Sequence, residues 1–340
     1  MFTNKSILIT GGSGLFGRCF IESVLRDYPG VKRIIVFSRD VQKHEEIQAL
    51  YPERQFPQLR LFVGDVRDRE RLMRACEGVD IIIHAATIAS IEASEYNPEE
   101  CVKTNILGAE NVINVALEKG VHDVVALSSD KACAPLNLYG ATQLVSDKLF
   151  VAANNMKGTK DIRFSVVRYG NVLGSKGSVV PLFMKRKELG GASLPITDKR
   201  MTRFIISNPE VVSAVEFAIE HHLGGEIFVP KTPSYKITDM ATAIAPGMEQ
   251  VEVGRRPGEK LYEELVSRAD SVNTIETEEH YIILPSLTYT SCNRASYLER
   301  YDAQPVEEGF RYCSNENPVF ETVDSLRQKI HLYINPAIKF

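Results

Sequence analysis

The first half of the chain alternates short apolar runs with amphipathic stretches of helical length. This pattern is typical of a parallel β-sheet covered by helices on both faces. The apolar runs predict strands at residues 6–10, 33–37, 59–63, 80–84, 123–127 and 163–168. Right-handed crossovers would join them into an α/β Rossmann fold, a doubly wound parallel sheet whose ligand crevice opens at the carboxyl ends of the strands.

From about residue 170 the sequence pattern changes, because frequent glycine and proline residues divide the chain into short elements. This pattern predicts a smaller mixed α/β lobe that binds substrate and closes over the crevice. We therefore expect a cofactor-binding Rossmann domain over residues 1–170 and a substrate-binding lobe over residues 171–340. The strand-like residues 226–230 are expected to return to the main sheet, so that the two parts interleave.

Composition narrows the class of protein. The chain has 340 residues and a formal net charge of −4, which gives no global attraction to nucleic acid or to an anionic membrane. Its 6 cysteines are scattered without a CxxC pair, so neither a disulfide framework nor a metal site is expected. Met1 leads directly into a predicted strand, without room for a signal peptide, and no apolar run has the length of a membrane span. We expect a cytoplasmic protein.

A glycine-rich loop follows the first predicted strand and precedes a helix. It contains Gly11, Ser13, Gly14, Phe16 and Gly17, and its sequence from residue 10 to residue 17 fits both GxGxxG and TGxxGxxG. Glycine allows the tight turn and the close approach of backbone to a pyrophosphate, whose charge the helix N-terminus stabilises. The position of the loop inside the first βαβ unit predicts a dinucleotide cofactor.

The end of the second strand indicates which dinucleotide binds. Ser38 and Arg39 stand where an acidic residue would accept the ribose hydroxyls of NAD. A hydroxyl and a guanidinium suit a 2′-phosphate, so NADP is favoured over NAD. The alternative is that Asp40 binds the ribose of NAD and Arg39 is a solvated surface residue.

Three further strand ends complete the predicted cofactor site. Asp65 and Val66 follow the third strand, where they would meet the adenine, although Asp65 could equally be only a helix N-cap. Ala85 and Ala86 follow the fourth strand and provide small side chains where the cofactor backbone passes. Asn105, which lies close to the same face, is assigned to the cofactor as well.

Candidate proton-transfer residues follow the fifth strand. Ser128 and Ser129 stand at the strand end, and Tyr139 begins a helix. Gln143 lies one turn further on the same helical face, so it also points to the cofactor site. Tyr139 with either serine could reach a sugar hydroxyl, whereas Tyr139 alone could be a packed core residue.

From these residues to about residue 285 the chain resembles the extended short-chain dehydrogenase/reductases. Within that group it is similar to the inverting UDP-N-acetylglucosamine 4,6-dehydratases of pseudaminic acid biosynthesis. The motifs that carry the resemblance are Ser128-Ser129-Asp130-Lys131-Ala132, Asn137-Leu138-Tyr139-Gly140-Ala141-Thr142, Arg168-Tyr169-Gly170-Asn171-Val172, Leu194-Pro195-Ile196-Thr197-Asp198, Arg200-Met201-Thr202-Arg203-Phe204 and Arg256-Pro257-Gly258-Glu259-Lys260-Leu261.

The resemblance implies a reaction without net redox change. The C4 hydroxyl of the sugar is oxidised, water is eliminated across C5 and C6, and the hydride returns to C6. Asp130 would protonate the leaving C6 hydroxyl, Lys131 would take the C5 proton, and Tyr139 would be the third catalytic residue. This chemistry requires that Lys131 lose its proton in a partly buried site. The alternative for Asp130 and Lys131 is a simple exposed ion pair.

The resemblance also implies which residues bind the substrate. Ser128 and Ser129 would contact the sugar, while the UDP moiety would be bound by Asn171, Thr197, Arg203, Arg256 and Glu259. Arginine suits bidentate phosphate contacts, although each of these residues could instead be an ordinary surface group. The family commonly self-associates through its helices, so a homo-oligomer is expected.

The chain departs from the family pattern at two places. Gln143 replaces a lysine that holds the nicotinamide ribose and lowers the phenol pKa. Without that cation the reactive phenolate is expected to fall by about 10- to 1000-fold. Lys148 is no substitute, because it projects from the opposite side of the helix. The family also has lysine and glutamine where this chain has Ala89 and Ser90.

These departures leave three interpretations open. The first is an active 4,6-dehydratase. The second is a related epimerase, or a dehydratase of another sugar, with a reshaped site. The third is a silent paralogue that binds NADP and a nucleotide sugar without turnover. Cys101, near the same face, is interpreted as a buried structural thiol.

Overall fold

A computed structural model describes residues 1–175, 177–285 and 293–334. Cys292, one of the scattered cysteines, lies outside the described residues. The strands are β1 Ser6–Thr10, β2 Arg33–Ser38, β3 Leu59–Val63, β4 Ile81–His84, β5 Asp123–Ser129, β6 Arg163–Tyr169, β7 Asn171–Val172, β8 Ser193–Ile196, β9 Thr202–Ile206, β10 Ile227–Pro230, β11 Ser234–Lys236, β12 Glu249–Glu252, β13 Glu264–Val266, β14 Thr274–Glu276, β15 His280–Ile283, β16 Gln304–Pro305 and β17 Tyr312–Cys313.

The helices pack on the sheets formed by these strands. They are α1 Leu15–Asp27, α2 Val41–Leu50, α3 Arg69–Ala75, α4 Ile91–Tyr96, α5 Pro98–Val102, α6 Gly108–Lys119, α7 Leu138–Ala153, α8 Val179–Glu188, α9 Asn208–His221, α10 Ile237–Ile244, α11 Arg294–Tyr301 and α12 Val323–Tyr333. A π-helical turn spans Lys103–Leu107, and 3-10 turns span Asp130–Ala132 and Ser271–Asn273.

The main sheet has 10 strands in the order β16-β14-β15-β10-β6-β5-β4-β1-β2-β3. The strands from β10 to β3 run parallel to one another, whereas β15, β14 and β16 add antiparallel strands at one edge. The chain order reverses between β1 and β4, which is the switch point where a doubly wound sheet binds ligands. The predicted Rossmann fold is therefore confirmed.

Burial on both faces explains why the strands are almost continuously apolar. Every residue of β1 and β4 is buried. One apolar cluster packs α3, α6 and α7 against one face, and a second packs α1, α9 and α11 against the other. Polar side chains are therefore concentrated where the strands end.

The second half of the chain builds a smaller lobe of mixed structure. It contains the sheets β11-β9-β7 and β12-β8, and a third apolar cluster links them to α8, α10 and α12. β10 lies in the main sheet, parallel to β6 and antiparallel to β15. The division of the chain near residue 170 stays a prediction.

The fifth strand is longer than its apolar residues predicted. β5 continues through Ser128 and Ser129, which pair with Arg168 and Tyr169 of β6. Backbone pairing extends past the apolar run because a polar side chain does not interrupt the ladder hydrogen bonds. Ser128 and Ser129 are thus the last two residues of β5 that pair with β6.

A buried ion pair fastens α7 to this part of the sheet. Arg168 Nη2 lies 2.9 Å from Asp147 Oδ2, and both side chains are almost fully buried. Arg168 Nη1 also donates to the Leu265 carbonyl at 3.1 Å, which connects β6 to β13. This cation therefore joins the helix that carries Tyr139 to β6 and to β13.

Removing one partner of this pair should destabilise the protein strongly. We expect Asp147→Ala to lower the free energy of unfolding by about 3–5 kcal/mol, because Arg168 would be left buried and unpaired. Chemical denaturation followed by circular dichroism measures the change. Asp324→Ala is the matched control, since it breaks the 3.0 Å pair with Arg327 on the surface of α12. Equal effects of the two substitutions would contradict the assignment.

Candidate active site

The loop between β1 and α1 forms a cradle for an anion. Gly11 has a φ of +65°, and a Cβ there would lie 2.8 Å from the Ala85 carbonyl oxygen. A Cβ at Gly17 would lie 2.1 Å from the Gly12 carbonyl oxygen, so the helix can pack on the loop only with glycine there. Gly14 is the N-cap of α1 and makes no side-chain cap. The first N–H groups of α1 are therefore left to a ligand such as a phosphate.

Ser13, Phe16 and Ser38 brace this loop. The Ser38 hydroxyl donates to Ser13 Oγ at 2.9 Å and lies 2.7 Å from His44 Nε2. Phe16 packs against Phe20 inside α1, with ring centroids 5.7 Å apart. The glycine loop is thus tied to the carboxyl end of β2, where the cofactor specificity was predicted to lie.

The two charged residues after β2 differ in their availability. Asp40 caps α2, because its side chain accepts the Lys43 N–H at 3.1 Å and pairs with Lys43 Nζ at 3.0 Å. The Arg39 side chain is 58% exposed, and its guanidinium lies 3.6 Å from Asp65. A cation at this edge suits a 2′-phosphate, whereas Asp40 already has partners.

Asp65 and Val66 extend the same edge after β3. Asp65 accepts the Arg67 N–H at 3.0 Å, and Asp68 is the N-cap of α3. The alternative that Asp65 caps that helix is therefore wrong, since the chain makes a short turn before the helix begins. Burial acts to raise the pKa of Asp65, but its hydrogen bonds with Arg67 hold it below the usual value. Val66 is buried and contacts Gly108.

Ala85 and Ala86 are held opposite the glycine loop by a residue that sequence reasoning missed. Thr10 Oγ1 accepts the Ala85 and Ala86 N–H groups at 3.2 and 3.3 Å and lies 2.7 Å from His84 Nδ1. Burial lowers the pKa of His84 to about 4, so its ring is neutral at physiological pH. His84 therefore fixes the loop without adding charge.

Asn105 supports the loop after β4. Its amide accepts the Ile88 N–H at 2.8 Å and donates to the Ile88 carbonyl at 3.2 Å and to Thr142 Oγ1 at 3.0 Å. Cys101 is fully buried beside it, which agrees with a structural thiol. Ser90, at one of the departures from the family pattern, is the N-cap of α4. A cofactor contact by Asn105 stays a prediction.

The 3-10 turn Asp130–Ala132 after β5, here called the catalytic turn, carries two of the three candidate catalytic residues. The Ser129 hydroxyl donates to Asp130 Oδ1 at 2.9 Å and accepts the Lys131 N–H at 3.2 Å. α7 packs directly on this turn at Gly140, where a Cβ would lie 2.2 Å from the Lys131 carbonyl oxygen. This close approach brings Tyr139 beside the turn.

Lys131 lies at the centre of a buried polar cluster. Its Nζ is 2.9 and 3.1 Å from the two carboxyl oxygens of Asp130, 3.0 Å from Asn171 Oδ1 and 3.5 Å from Glu263 Oε1. Asp130 is 1% exposed, so the alternative of an exposed ion pair is wrong. The chain supplies buried partners from the lobe that local sequence does not reveal.

The pKa of Lys131 is higher than the predicted chemistry requires. Burial acts to lower its pKa, but the charges of Asp130 and Glu263 outweigh burial and raise the pKa above the ordinary value. The expectation that Lys131 loses its proton readily is therefore wrong for the structure as it stands. The physical reason is that two carboxyl groups, one of them from a distant segment, surround the amine.

Tyr139 is buried, and its phenol is neutral at physiological pH. Burial raises its pKa, while hydrogen bonding with Ser129 and Gln143 and the charge of Lys131 act in the opposite direction. Gln143 is buried on the same face of α7 as predicted, and Lys148 is exposed. Ser128 is also buried, two residues before the catalytic turn. The cation nearest to this phenol thus comes from the turn rather than from its own helix.

Three predicted substrate residues lie in the lobe. Asn171 in β7 accepts from Lys131, and Thr197 donates to Met201 Sδ at 3.0 Å. Arg203 is buried, and its guanidinium donates to the carbonyls of Lys260 and Leu261 at 2.9 and 3.0 Å. Arg203 therefore clamps the segment at residues 256–263 onto β9, and a phosphate contact by this side chain stays a prediction.

Arg256 and Glu259 lie on that clamped segment. Arg256 is 58% exposed, and its Nη1 lies 3.2 Å from Glu92 of α4. Glu259 accepts the Arg256 N–H at 3.2 Å and lies 3.6 Å from Arg203 Nη2. Lys260 Nζ donates to the Cys133 carbonyl at 2.5 Å, so the segment lies against the catalytic turn. The predicted UDP residues are thus gathered at one border of the crevice.

Glu263 is the residue of this cluster that sequence reasoning missed. It is 3% exposed and faces Lys131 and Arg203. The available signal was its position just before Leu265 and Val266, which are both fully buried. An acidic residue beside such a buried segment calls for a partner.

The whole arrangement can move protons beside a dinucleotide. A glycine loop with an uncapped helix start lies at the carboxyl end of β1, and a phenol, an amine and two carboxyl groups lie near the end of β5. Such a set supplies both an acid and a base within one dry site.

Comparisons with known proteins show which kinds of protein the chain resembles. Residues 7–285 match the family described as polysaccharide biosynthesis protein. The inverting UDP-N-acetylglucosamine 4,6-dehydratase of Campylobacter jejuni is 49% identical, over 97% of this chain and 98% of that protein. The UDP-glucose 4-epimerase of Rickettsia canadensis is 38% identical, over 83% of this chain and 84% of that protein.

Solved structures show the same architecture. Pen from Bacillus thuringiensis superposes with a TM-score of 0.86 at 31% identity, covering 98% of each chain. The dTDP-glucose 4,6-dehydratase DesIV from Streptomyces venezuelae gives a TM-score of 0.67 at 23% identity, over 75% of this chain and 86% of that chain, and supports the fold alone. Within the described residues, every helix is too short or too polar to cross a membrane.

The electrostatic role of position 143 can be measured without any substrate. We expect Gln143→Lys to lower the pKa of the Tyr139 phenol, because a cation one helical turn away stabilises the phenolate. The pH titration of tyrosine ring carbons by NMR reports it, with the Tyr139 signal assigned by Tyr139→Phe. Gln143→Met is the control that loses the hydrogen bond without adding charge. If lysine and methionine move the titration alike, the charge of residue 143 is irrelevant.

Proposed function

The chain belongs to the family of polysaccharide biosynthesis proteins, and from this premise we propose that it is an NADP-dependent nucleotide-sugar 4,6-dehydratase. The proposed lyase reaction acts on UDP-N-acetylglucosamine and inverts C5. The buried contact of Asp130 with Lys131 beside Tyr139 carries the proposal. It gives an elimination its acid and its base, and the 49% identical relative is named for this reaction.

The chain's own residues fit a dinucleotide with a 2′-phosphate. The α1 N-terminus and Gly14 would hold the pyrophosphate, Arg39 and Ser38 the 2′-phosphate, and Gln143 the nicotinamide ribose. The fit rests on the uncapped helix start and on an exposed cation at the end of β2. When bound, NADP supplies the oxidation at C4 and the return of the same hydride to C6.

Tyr139 takes the proton of the C4 hydroxyl in this scheme. Its phenol must first be ionised, which burial opposes and the charge of Lys131 favours. The ketone that forms at C4 makes the C5 proton acidic. Oxidation at C4 thus prepares the sugar for loss of water. C5 later regains one proton on the opposite face, and the proton count closes when the phenol gives up the proton that it took from the C4 hydroxyl.

Asp130 and Lys131 share the proton that the elimination needs. The charged pair, an aspartate with an ammonium group, contains the same number of protons as the neutral pair, an aspartic acid with an amine. A proton shift from Nζ to a carboxyl oxygen, across the 2.9 Å contact, therefore produces acid and base together. Asp130 then protonates the C6 hydroxyl as it leaves, and Lys131 takes the C5 proton. The elimination returns the pair to the charged form.

A 4-epimerase is the second candidate, because the Rickettsia canadensis relative carries that name. Epimerisation at C4 needs the tyrosine and the cofactor but no acid and base at C5 and C6. The buried Asp130 and Lys131 would then have no chemical task, which is why the dehydratase is preferred.

Product analysis in deuterated water separates these functions. With UDP-N-acetylglucosamine and NADP we expect NMR to show a new C6 methyl signal and deuterium at C5. Asp130→Asn should retain cofactor binding and lose the methyl signal by about 100-fold or more, because the leaving hydroxyl lacks its acid. A C4 epimer without a methyl group would identify an epimerase. Bound ligand without any new signal would indicate a silent paralogue.

Cofactor choice is tested by Arg39→Ala. We expect the substitution to weaken NADP binding by roughly 10- to 100-fold, since a charge-assisted phosphate contact contributes about 1.5–3 kcal/mol. NAD affinity, measured by the same fluorescence titration, is the internal control and should hardly change. Equal losses for both dinucleotides would show that Arg39 does not read the 2′-phosphate.

A further inference from the structure

Glu263 is a buried carboxyl group at the inner end of the candidate site. Its backbone is fixed by Ser314, which accepts the Glu263 N–H through Oγ at 3.0 Å and donates its own N–H to the Glu263 carbonyl at 2.8 Å. Ser314 Oγ also lies 2.7 Å from Thr202 Oγ1. The position of the carboxyl group is therefore set by β9 and β17, independently of the catalytic turn.

The side chain of Glu263 points into the cluster around Lys131. Its Oε1 lies 3.5 Å from Lys131 Nζ and 3.8 Å from Arg203 Nε. Its Oε2 is buried and has no hydrogen-bond partner within the part of the chain that the structure describes. A buried carboxyl oxygen without a partner costs stability. A role in the site would explain why the chain retains it.

Several charges act on Glu263 from different elements. Lys131 and Asp130 face it from the 3-10 turn, Arg203 from β9 and Lys260 from the clamped segment. Burial raises the pKa of Glu263, and Asp130 acts in the same direction, whereas the three cations act to lower it. Tyr235 of β11, which hydrogen-bonds with Asn171, lies near the same charges.

We propose that Glu263 is a positioning residue that holds the amine of Lys131 between two carboxyl groups and determines when that amine releases a proton. Asp130 in the catalytic turn lies 2.9 Å from Lys131 Nζ, and Glu263, just before β13, lies 3.5 Å from the same atom. Neither the names of the similar proteins nor the sequence motifs of the chain point to Glu263. Its use in catalysis rests on the proposed elimination, but its effect on Lys131 does not.

The proton balance defines what Glu263 does. Lys131 becomes a base when one N–H bond breaks and the proton forms an O–H bond on Asp130. An ionised Glu263 opposes this transfer, because a second negative charge stabilises the ammonium form. A protonated Glu263 removes that charge and makes the transfer easier. Closure of the lobe or binding of a sugar that changes the distance to Glu263 would therefore alter the basicity of Lys131.

The titration of Lys131 tests the proposal without turnover. Protein labelled with ¹³C and ¹⁵N in lysine is titrated by NMR, and Lys131→Arg identifies the signal. Glu263→Gln keeps the size of the side chain and removes its charge. We expect the fraction of neutral Lys131 amine at a given alkaline pH to rise about tenfold or more, as for loss of an opposite charge at this range.

Glu264→Gln is the matched control, because it removes the same charge one residue along the chain. Glu264 lies 3.4 Å from Arg311, on the other side of the strand, and should leave the Lys131 titration unchanged. Glu263→Asp, which retains the charge, should give a smaller change than glutamine does. It also keeps the test valid if the glutamine variant does not fold.

The outcomes separate this proposal from the proposed function. An unchanged Lys131 titration in folded Glu263→Gln, or an equal change in Glu264→Gln, would overturn the role of Glu263. A shifted titration supports that role even if neither protein dehydrates the sugar, in which case the proposed function alone fails. If the enzyme turns over, Glu263→Gln should also move its pH optimum downward.

Discussion

In a parallel sheet that is buried on both faces, functional polar groups can lie only at the edge where the strands end. β1, β4, β5 and β6 all end at that edge, beside the point where the chain order reverses. The glycine loop, the Ala85 loop and the catalytic turn follow three of these strands directly. Segments that are far apart in the chain therefore become neighbours without any specific attraction between them. The whole candidate site depends on this geometric constraint.

Segments from the second half of the chain supply polar and charged partners to the site as well as closing it. Lys131 contacts Asn171 of the lobe and Glu263 just before β13, while Arg168 of the main sheet donates to the carbonyl of Leu265 in β13. Because buried charges need partners, these contacts also influence the protonation of the Lys131 amine. The proton state of Lys131 is consequently coupled to contacts from segments that are distant in the chain. A local motif cannot show this coupling.

Prediction from sequence succeeded where the signal was local. The strands follow from apolar runs, and the glycine loop follows from its place between a strand and a helix. Tyr139 could be grouped with Ser128 and Ser129 because a helix follows the strand end, and the family resemblance added Asp130 and Lys131. Prediction failed where distant groups decide the outcome. The cap of α3 depends on how the preceding turn is placed, and the tight hold on the Lys131 proton depends on Glu263.

Residue order alone specified the Rossmann sheet, the family resemblance and the identity of the polar residues at its edge, because these properties depend on patterns within a few residues. It also exposed the replacement of a lysine by Gln143. Folding decided that Asp130 and Lys131 are buried together, that Arg203 clamps a distant segment, and that Glu263 completes their cluster. Burial and charge act through space, so the pKa of a side chain is a property of the folded neighbourhood rather than of its place in the chain.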